Sequence, residues 1–248
     1  MSVNRQSKRI LFLSTTLAKG GAETQLVRLA ISLKQRNWEV AVCSISPACH
    51  FAEELDSHAV PYFSLEASNS SLLAGINLGV RLSRLIQSWK PTIIITFMYH
   101  ANILGSLVGS LHAIPVIASI RGEKFGGALR DMLEHITQSL SRVTVINSYS
   151  AAGTIVERGV IHKDRVRVIQ NSVETVTPPI PNEASTTVTE KGLRWVAVGR
   201  LEDQKDYPSL FLALRELLKT HPATTLKIAG SGDLAPRKWT RRNVSPAV

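Results

Sequence analysis

Two short stretches of the sequence combine residue types that can bind an anion. The first is the glycine pair Gly20–Gly21, which lies between an apolar run and a stretch with helical periodicity. Backbone N–H groups at the start of a helix attract negative charge, and glycine lets an anion approach the backbone closely. The second stretch, VGRLEDQKD, holds Arg200 and Lys205, a bidentate donor and a point charge that together suit a diphosphate. An ordinary turn and a solvated loop are the structural alternatives.

Other polar residues also follow apolar runs. His100 comes after TIIITFMY, where a histidine is either catalytic or structural. The segment SIRGE supplies Arg121 and Glu123, and Arg121 suits a phosphate or a carboxylate, with a surface ion pair as the alternative. Because ligands of open parallel sheets bind where the strands end, these positions are candidates for one site. The remaining candidates are Glu23, Asn147, Asn171 and Gly230.

The elements that position these residues alternate between strand and helix. Apolar runs predict strands at 10–14, 40–45, 61–65, 92–97, 114–120, 142–147 and 165–170. Helical periodicity predicts helices at 23–36, 72–89, 101–113, 128–140 and 148–159. The helix at 72–89 has the apolar stripe Ile76, Val80, Leu82 and Ile86, and the helix at 101–113 is expected to pack through its small residues. Ser148 and Gly159 are a plausible N-cap and C-terminal stop. This alternation predicts an α/β domain with a doubly wound parallel sheet.

The chain is predicted to contain a second, smaller unit. Three prolines and many serines and threonines predict a linker at 174–193, which follows an N-terminal domain at 1–173. A strand–loop–helix–strand pattern covers 194–234, and 235–248 form an irregular tail. Two strands and one helix cannot bury a useful core alone. The second unit is therefore expected either to dock on the first or to belong to a shortened form of a longer protein.

Composition and charge limit the classes of partner and compartment. The net charge of +10 favours anionic partners such as nucleotides or an acidic membrane surface. The basic residues are scattered without interleaved aromatics, which argues against nucleic acid. No apolar run approaches the roughly 18 residues of a membrane span, and the run at 10–13 is too short for a signal sequence. Two cysteines without further partners predict free thiols and a cytoplasmic protein, with peripheral contact at the inner membrane face as an option.

A nicotinamide-binding Rossmann domain is the main alternative for the first domain. It would have G-x-G-x-x-G after the first strand and an acidic residue at the end of the second. Here the loop reads GGAE, and the second strand ends VCSIS without a carboxylate. A Walker A motif is also absent. These departures disfavour NAD, and stabilisation of the fold by NAD would revive it.

Six collinear stretches together resemble the family 4 retaining glycosyltransferases of the GT-B architecture. They are GGAETQLVRLA, MYHANILGSLVG, VTVINSYSA, VRVIQNSVE, VGRLEDQKDYPSLFLAL and IAGSGDL, and they span about residues 8–234. Within that family, the branch that builds bacterial polysaccharides and lipid-linked sugars is the most similar.

The resemblance implies two Rossmann-like domains that face each other across a cleft, with a nucleotide-sugar donor held mainly by the second. Gly20 and Gly21 would lie near the donor diphosphate. Arg200 and Lys205 match the family's pair that neutralises the leaving nucleoside diphosphate, and His100 matches a histidine near the transferred sugar. Because fixed cations can stabilise that leaving group, no metal or other cofactor is expected. The implied acceptor is a glycan or a lipid-linked molecule.

The sequence departs from the family pattern in two places. The family's NG after the last strand of the first domain is NS here, at Asn171 and Ser172. The sequence also contains no E-x7-E segment, whose carboxylates bind the ribose and the donor sugar, and its last residues look like a frameshifted or altered end. We therefore expect an intact acceptor-side domain, a truncated donor-side domain and weak or absent transferase activity. The alternative is a non-catalytic remnant that binds an acceptor, a membrane or a partner subunit.

Overall fold

The computed structural model describes residues 9–47, 49–67, 72–121, 128–173 and 193–232. The predicted linker up to residue 192, the predicted tail at 235–248 and Glu123 lie outside these ranges. The chain divides into two compact units, Met1–Glu174 and Thr175–Val248, and each contains its own sheet.

The described residues of the first unit form a seven-stranded parallel sheet. Its strands are β1 (Arg9–Ser14), β2 (Glu39–Ser44), β3 (Tyr62–Ser64), β4 (Ile93–Phe97), β5 (Val116–Ile120), β6 (Val143–Ile146) and β7 (Val166–Val168). Their order across the sheet is β3-β2-β1-β4-β5-β6-β7. In the register of the central strands, Ser14 pairs with Ser44 on one side and with Phe97 on the other. The strands therefore end level with one another, and we call this end of the sheet the carboxyl edge.

Six helices connect these strands. They are α1 (Gly21–Gln35), α2 (Ala52–Ser57), α3 (Leu72–Trp89), α4 (Tyr99–Leu111), α5 (Ala128–Leu140) and α6 (Tyr149–Glu157), among the residues that the structure describes. The predicted α/β class with a doubly wound parallel sheet is confirmed. Helix α2 was not predicted, because six residues with one buried apolar side chain, Leu55, are too few to show a period.

The core lies on both faces of the sheet because side chains alternate along each strand. Ile10 and Phe12 of β1 pack on one face with α1 and α2, and Leu11 and Leu13 pack on the other with α3 and α4. The side chains of Phe12, Leu11 and Leu13 are fully buried. Full burial of such a side chain stabilises the fold by about 1.5–3 kcal/mol.

Helix α4 lies unusually close to the sheet. A Cβ atom on Gly105 would collide with Cγ2 of Thr96, and one on Gly109 would collide with Cγ2 of Val116. The predicted packing of this helix through small residues is confirmed. The close approach fixes where α4 begins at the carboxyl edge, and therefore where Tyr99 and His100 lie.

Two helices expose apolar side chains that periodicity alone would place inside. In α3, Leu82 and Ile86 are buried, whereas Ile76 and Val80 are 60% and 43% exposed. The predicted stripe is therefore only half correct: residues 76 and 80 lie on a side of α3 that does not face the sheet. In α5 the buried residues include the polar Thr137 and Gln138, and the exposed ones include the apolar Met132, Leu133, Ile136 and Leu140 beside His135 and Ser139.

The second unit contains two parallel strands and a helix in its described part. They are β8 (Arg194–Val198), a 3₁₀ turn (Asp203–Lys205), α7 (Tyr207–Thr220) and β9 (Thr225–Ala229). Burial alternates along both strands, so that one face of this small sheet is half-buried and the other is exposed. Val196 and Val198 on the open face are 68% and 81% exposed.

Candidate functional site

The loop that joins β1 to α1 is held in place at the carboxyl edge. The hydroxyl of Ser14 donates to the carbonyl of Thr16 at 2.7 Å, and the hydroxyl of Thr16 accepts from the amide of Ala18 at 3.0 Å. Leu17 is fully buried and forms a parallel bridge with Cys49. These contacts order the loop before any ligand binds, which lowers the entropic cost of binding.

Gly20 is the N-cap residue of α1, and it has an extended backbone and no side-chain cap. Thr24 closes the first turn by donating its amide at 2.9 Å and its hydroxyl at 2.8 Å to the carbonyl of Gly20. A Cβ atom on Gly20 would collide with the carboxylate of Glu23, a buried residue at the third helical position. Glu23 thus already supplies negative charge at the positive end of this helix.

Gly21 differs from Gly20 in what surrounds it. Apart from its chain neighbours and the backbone of its own helix, no atom lies within 4 Å of the position that its Cβ atom would take. The Cβ side of Gly21, at the start of α1, therefore faces open space, so a ligand can approach this helix start closely. Because the carboxylate of Glu23 lies on the Gly20 side, a diphosphate here would have to approach from the Gly21 side.

The start of α4 presents His100 at the same edge. Met98 has a φ of 74°, an unusual value for a residue with a side chain, and it turns the chain from β4 into α4. The amide of Ala101 donates to the hydroxyl of Thr15 at 3.3 Å, so the loop after β1 and the start of α4 are joined. The ring of His100 is exposed and lies edge-on to Tyr99 at 5.1 Å. The structure therefore brings His100 close to the loop that leads to Gly20.

Arg121 is the most extensively contacted candidate at the carboxyl edge. Its Nε donates to the hydroxyl of Ser119 at 2.8 Å, and a terminal N–H donates to the amide oxygen of Asn171. Its guanidinium carbon lies 4.7 Å from the centre of the Phe97 ring, a cation–π distance. Burial lowers the pKa of Arg121 from its ordinary value, yet arginine stays protonated at neutral pH. Since these partners are all neutral, the positive charge stays available to an anionic ligand.

A buried hydrogen-bond network that the sequence did not reveal lies next to Ser119, one of the partners of Arg121. The hydroxyl of Thr96 donates to the amide oxygen of Asn102 at 2.7 Å, and the amide nitrogen of Asn102 donates to the carbonyl of Ser119 at 3.2 Å. The network therefore joins β4, α4 and β5 at Ser119, whose hydroxyl accepts from Arg121. The asparagine in YHAN, Asn102, was the local signal for this network, but sequence reasoning considered only the histidine there.

Asn171 reaches this cluster because the chain turns back across the carboxyl edge after β7. The amide of Ile169 still follows the sheet, donating to Ile146 at 2.9 Å. Two residues later Asn171 pairs with Arg121, and the carbonyl of Ser172 accepts from Gln25 of α1 at 2.9 Å. This segment therefore passes from the outermost strand towards the helix that Gly20 begins.

Asn147 ends β6 at the same edge and is half-buried. The next residue, Ser148, caps α6 by accepting from the amide of Ala151 at 3.4 Å, so the predicted N-cap is confirmed. Gly159 follows the last turn of α6 with a φ of +68°, as predicted for its C-terminal stop.

In the second unit, Arg200 and Lys205 lie in the loop from β8 to α7. A terminal nitrogen of Arg200 lies 3.1 Å from the carboxylate of Glu202, and the side chain of Arg200 is 66% exposed. The Lys205 side chain runs beside Gly199, where a Cβ atom would lie 3.8 Å from its Cδ. Both predicted cations are thus at the carboxyl end of β8, and Glu202 is a partner that sequence reasoning missed.

Gly230 directly follows β9 at a position that has no room for a side chain. A Cβ atom on Gly230 would collide with the carbonyl oxygen of Gly199. The same carbonyl accepts from the hydroxyl of the buried Tyr207 at 3.0 Å, and the amide of Gly199 donates to Ala229 at 3.1 Å. Gly230 therefore allows two loops to touch, and this contact sets the shape of the loop that contains Arg200.

The described residues bear on other kinds of site as well. No three His, Cys, Asp or Glu side chains in those ranges come together as metal ligands would. Cys43 and Cys49 are free, as predicted, and burial raises the pKa of the Cys43 thiol to about 12. None of the helices that the structure describes is long and apolar enough to cross a membrane.

Comparison with known proteins decides the family. Residues 19–177 match the model of Glycosyltransferase Family 4, which covers both the helix start at Gly20 and the Arg121–Asn171 pair. The chain belongs to glycosyltransferase family 4. The resemblance drawn from the six sequence motifs is thereby confirmed.

This family 4 chain is similar to a curated relative over part of its length. It is 27% identical over 171 residues to glycogen synthase of Mycobacterium tuberculosis (strain CDC 1551 / Oshkosh). The match covers 64% of this chain and 41% of the synthase. The chain thus spans about two fifths of the curated relative that it matches.

Solved structures resemble the family 4 chain over most of its length. Anabaena HepE, in complex with UDP and glucose, matches 91% of this chain and 61% of its own at a TM-score of 0.69 and 17% identity. The lipopolysaccharide outer core galactosyltransferase WaaB in its apo form matches 91% of this chain and 61% of its own at a TM-score of 0.62 and 17% identity. These likenesses establish the fold as the GT-B type.

Proposed function

We propose that the parent activity of this family 4 protein is transfer of a hexosyl unit, with retention, from a nucleotide sugar to a glycan or lipid-linked acceptor in polysaccharide or cell-envelope biosynthesis. Family membership supports glycosyl transfer. The UDP and glucose held by HepE support a nucleotide-sugar donor. The observation that carries the proposal is the pair of exposed cations, Arg200 and Lys205, at the carboxyl end of β8.

The cations would act on the leaving group. Transfer breaks the bond between the anomeric carbon and a diphosphate oxygen, and negative charge develops on the diphosphate as this bond lengthens. Arg200 can bind two of its oxygens and Lys205 adds a second charge, so both stabilise that charge without a metal ion. Exchange of Glu202 for a phosphate costs little, because an exposed ion pair contributes only about 0–1 kcal/mol.

The first unit would bind the acceptor and the sugar. We assign His100 to the transferred sugar, because its exposed ring lies at the carboxyl edge beside the loop after β1. We assign the open space at Gly21 to the diphosphate, because it lies beside the start of α1, where backbone N–H groups attract an anion. Arg121, held by Ser119 and Asn171, would bind an anionic or hydroxyl group of the acceptor.

Thermal melting tests the nucleotide class directly. A ligand that binds only the folded state raises the melting temperature with concentration, because it stabilises that state by RT ln(1 + [L]/Kd). We expect UDP, UDP-glucose or another nucleoside diphosphate sugar from an ADP, GDP and dTDP panel to raise it, and NAD to leave it unchanged. Stabilisation by NAD alone would contradict the proposal and favour the nicotinamide alternative.

We further propose that transfer by the 248-residue chain is weak or absent. The described part of the second unit offers the cation pair, but the sequence holds no E-x7-E segment to bind the ribose and the sugar. The expected result is donor binding with little or no product when a labelled nucleotide sugar is incubated with candidate acceptors. Ready transfer of labelled sugar would show this proposal to be wrong while leaving the donor site intact.

The second candidate is a non-catalytic protein that binds an acceptor, a membrane or a partner subunit. The exposed face of the β8–β9 sheet favours it, because Val196 and Val198 lie open there among polar side chains and could contact a partner. This candidate predicts that no nucleotide changes the melting temperature, whereas acceptor glycans or anionic lipid bind.

A further inference from the structure

Arg121 is a partly buried cation that has no counterion among the residues that the structure describes. Its partners there are the hydroxyl of Ser119 at 2.8 Å, the amide oxygen of Asn171 and the ring of Phe97 at 4.7 Å. The ion pairs of the described ranges all involve other residues. Since charges that are removed from water in proteins are usually paired, an anionic group of a ligand would complete this site.

The guanidinium of Arg121 is held in one orientation. Its Nε and one terminal nitrogen donate to the partners above, and within the described ranges its other terminal nitrogen has no hydrogen-bond partner. The strand end that carries it is fixed as well, because the carbonyl of Ser119 accepts from the amide of Met98 at 3.2 Å and from the side chain of Asn102 at 3.2 Å. Arg121 therefore presents oriented N–H donors, which suit the planar fork of a carboxylate.

Asn171 adds a second donor beside the cation. The amide oxygen of Asn171 accepts from Arg121, so its exposed amide nitrogen is the part that can donate to a ligand. The segment around Asn171 is tied down on both sides, because Ile169 bonds to β6 at 2.9 Å and the carbonyl of Ser172 accepts from Gln25 of α1 at 2.9 Å. A ligand at Arg121 therefore meets donors that are already placed, which lowers the entropic cost of binding.

The charge of this cluster is matched to a carboxylate better than to a phosphate. Among the described residues, no second lysine or arginine side chain hydrogen-bonds to Ser119 or Asn171. A carboxylate carries one negative charge, which one guanidinium balances. A phosphate monoester carries about −1.5 to −2 at pH 7 and would leave negative charge unbalanced here. The single cation with its neutral donors therefore favours a carboxylate.

The position of Arg121 relative to His100 indicates which ligand carries this carboxylate. His100 follows β4 and Arg121 follows β5, and Phe97 of β4 pairs with Ser119 of β5. Neighbouring strands lie about 4.8 Å apart, so the two side chains flank adjacent strand ends. We propose that the acceptor is an acidic glycan, whose sugar carboxylate binds Arg121. This assignment rests on the proposed glycosyl transfer, in which His100 lies at the transferred sugar and the first unit binds the acceptor.

Titration by saturation-transfer NMR tests this with the full chain and matched pairs of sugars. Each pair consists of a methyl hexuronide and the neutral methyl hexoside of the same configuration, in the gluco, galacto and manno series. At least one uronide should bind about tenfold or more tightly than its neutral partner, because it adds hydrogen bonds between charged groups. The hexose 6-phosphates should bind less tightly than that uronide.

Two variants test whether Arg121 is responsible. Arg121→Gln removes the cation and should abolish the preference for the uronide. Asn171→Asp places a carboxylate of the protein itself against the guanidinium, so it should abolish the preference too while melting at or above the wild-type temperature. Loss of binding in Asn171→Asp therefore cannot be assigned to unfolding. The control is Arg142→Gln, which changes an exposed arginine just before β6, at the opposite edge of the sheet, and should keep the preference.

Three results would overturn the acidic acceptor. They are the absence of any preferred uronide, a preference that survives in both Arg121→Gln and Asn171→Asp or is lost equally in Arg142→Gln, and tighter binding of a hexose 6-phosphate than of every uronide. The shift in melting temperature with UDP, measured on the same proteins, separates this failure from failure of the donor site. If UDP and the other nucleotides leave the melting temperature unchanged while a uronide binds through Arg121, the donor proposal fails and the carboxylate site stands.

Discussion

At the scale of single residues, Arg121 is the side chain whose surroundings say most about the carboxyl edge. Its guanidinium is partly buried and contacts a hydroxyl, an amide oxygen and an aromatic ring. Each of these partners orients the guanidinium without neutralising it. An anion that reaches Arg121 would therefore meet a cation already held in one orientation, which is the condition for selective binding.

The pairing of Arg121 with Asn171 can be tested by stability. Asn171→Ala should lower the free energy of unfolding by about 0.5–1.5 kcal/mol, the usual net contribution of a hydrogen bond, measured by urea denaturation. The neighbouring Ser172→Ala is the control and should have little effect, because the Ser172 contact to Gln25 uses its backbone carbonyl. If Asn171→Ala is equally destabilising in an Arg121→Met background, the two residues are not coupled and this pairing is wrong.

The two cysteines provide a second test at this scale. Burial raises the pKa of Cys43 to about 12, and burial is also the main cause of the raised pKa of the more accessible Cys49. Because the thiolate is the reactive form, iodoacetamide at mildly alkaline pH should label Cys49 in the folded protein and both cysteines in urea. Mass spectrometry reads the sites. Rapid labelling of Cys43 in the folded state would contradict its burial.

The same pKa shift predicts how stability depends on pH. The unfolded thiol of Cys43 ionises near its ordinary pKa of 9.0, whereas the folded thiol ionises near 12. The contribution of Cys43 to stability is therefore complete below pH 9 and is lost as the pH rises from 9 towards 12. Cys43→Ala should flatten this alkaline decline in urea denaturation curves. An unchanged decline would assign it to other groups.

At the scale of elements, the closeness of α4 to the sheet makes a paired prediction. Alanine favours a helix over glycine by about 1 kcal/mol, yet Gly105→Ala should destabilise the protein by about 1–3 kcal/mol because its Cβ collides with Thr96. Gly153→Ala in α6 is the control, since no atom lies within 4 Å of its Cβ position. It should be neutral or stabilising. A stabilising Gly105→Ala in chemical denaturation would show that α4 lies farther from the sheet.

The elements also show what the sequence could predict. Every predicted strand and helix is present in the described ranges. The sequence alone reveals them because apolar periodicity and N-cap residues such as Ser148 are local signals. Which residues of a helix face the core is not a local property: α5 buries the polar Gln138 because Thr144 of β6 offers it a partner there. The pairing of Arg121 with Asn171 was equally inaccessible, since each residue was a candidate alone and 50 positions separate them.

At the scale of the whole molecule, the first unit is organised by side and by edge. At the carboxyl edge lie the start of α1 after Gly20, His100, and Arg121 with its partners Ser119 and Asn171. One side of the sheet exposes the acidic α2, and on the other side α3 and α4 expose the apolar Ile76, Val80, Leu107 and Leu111. The candidate site residues of this unit therefore lie at one edge of the sheet, apart from these exposed apolar side chains.

The measurement that tests the central claim most directly is calorimetric titration of the wild-type protein, Arg200→Ala and Arg215→Ala with the nucleoside diphosphate that stabilises the fold. Arg200 and Arg215 belong to the same unit, are similarly exposed and each contact a nearby glutamate. We predict that Arg200→Ala weakens binding about tenfold or more while Arg215→Ala binds as the wild type does. Equal binding by all three proteins would contradict a donor site at the end of β8.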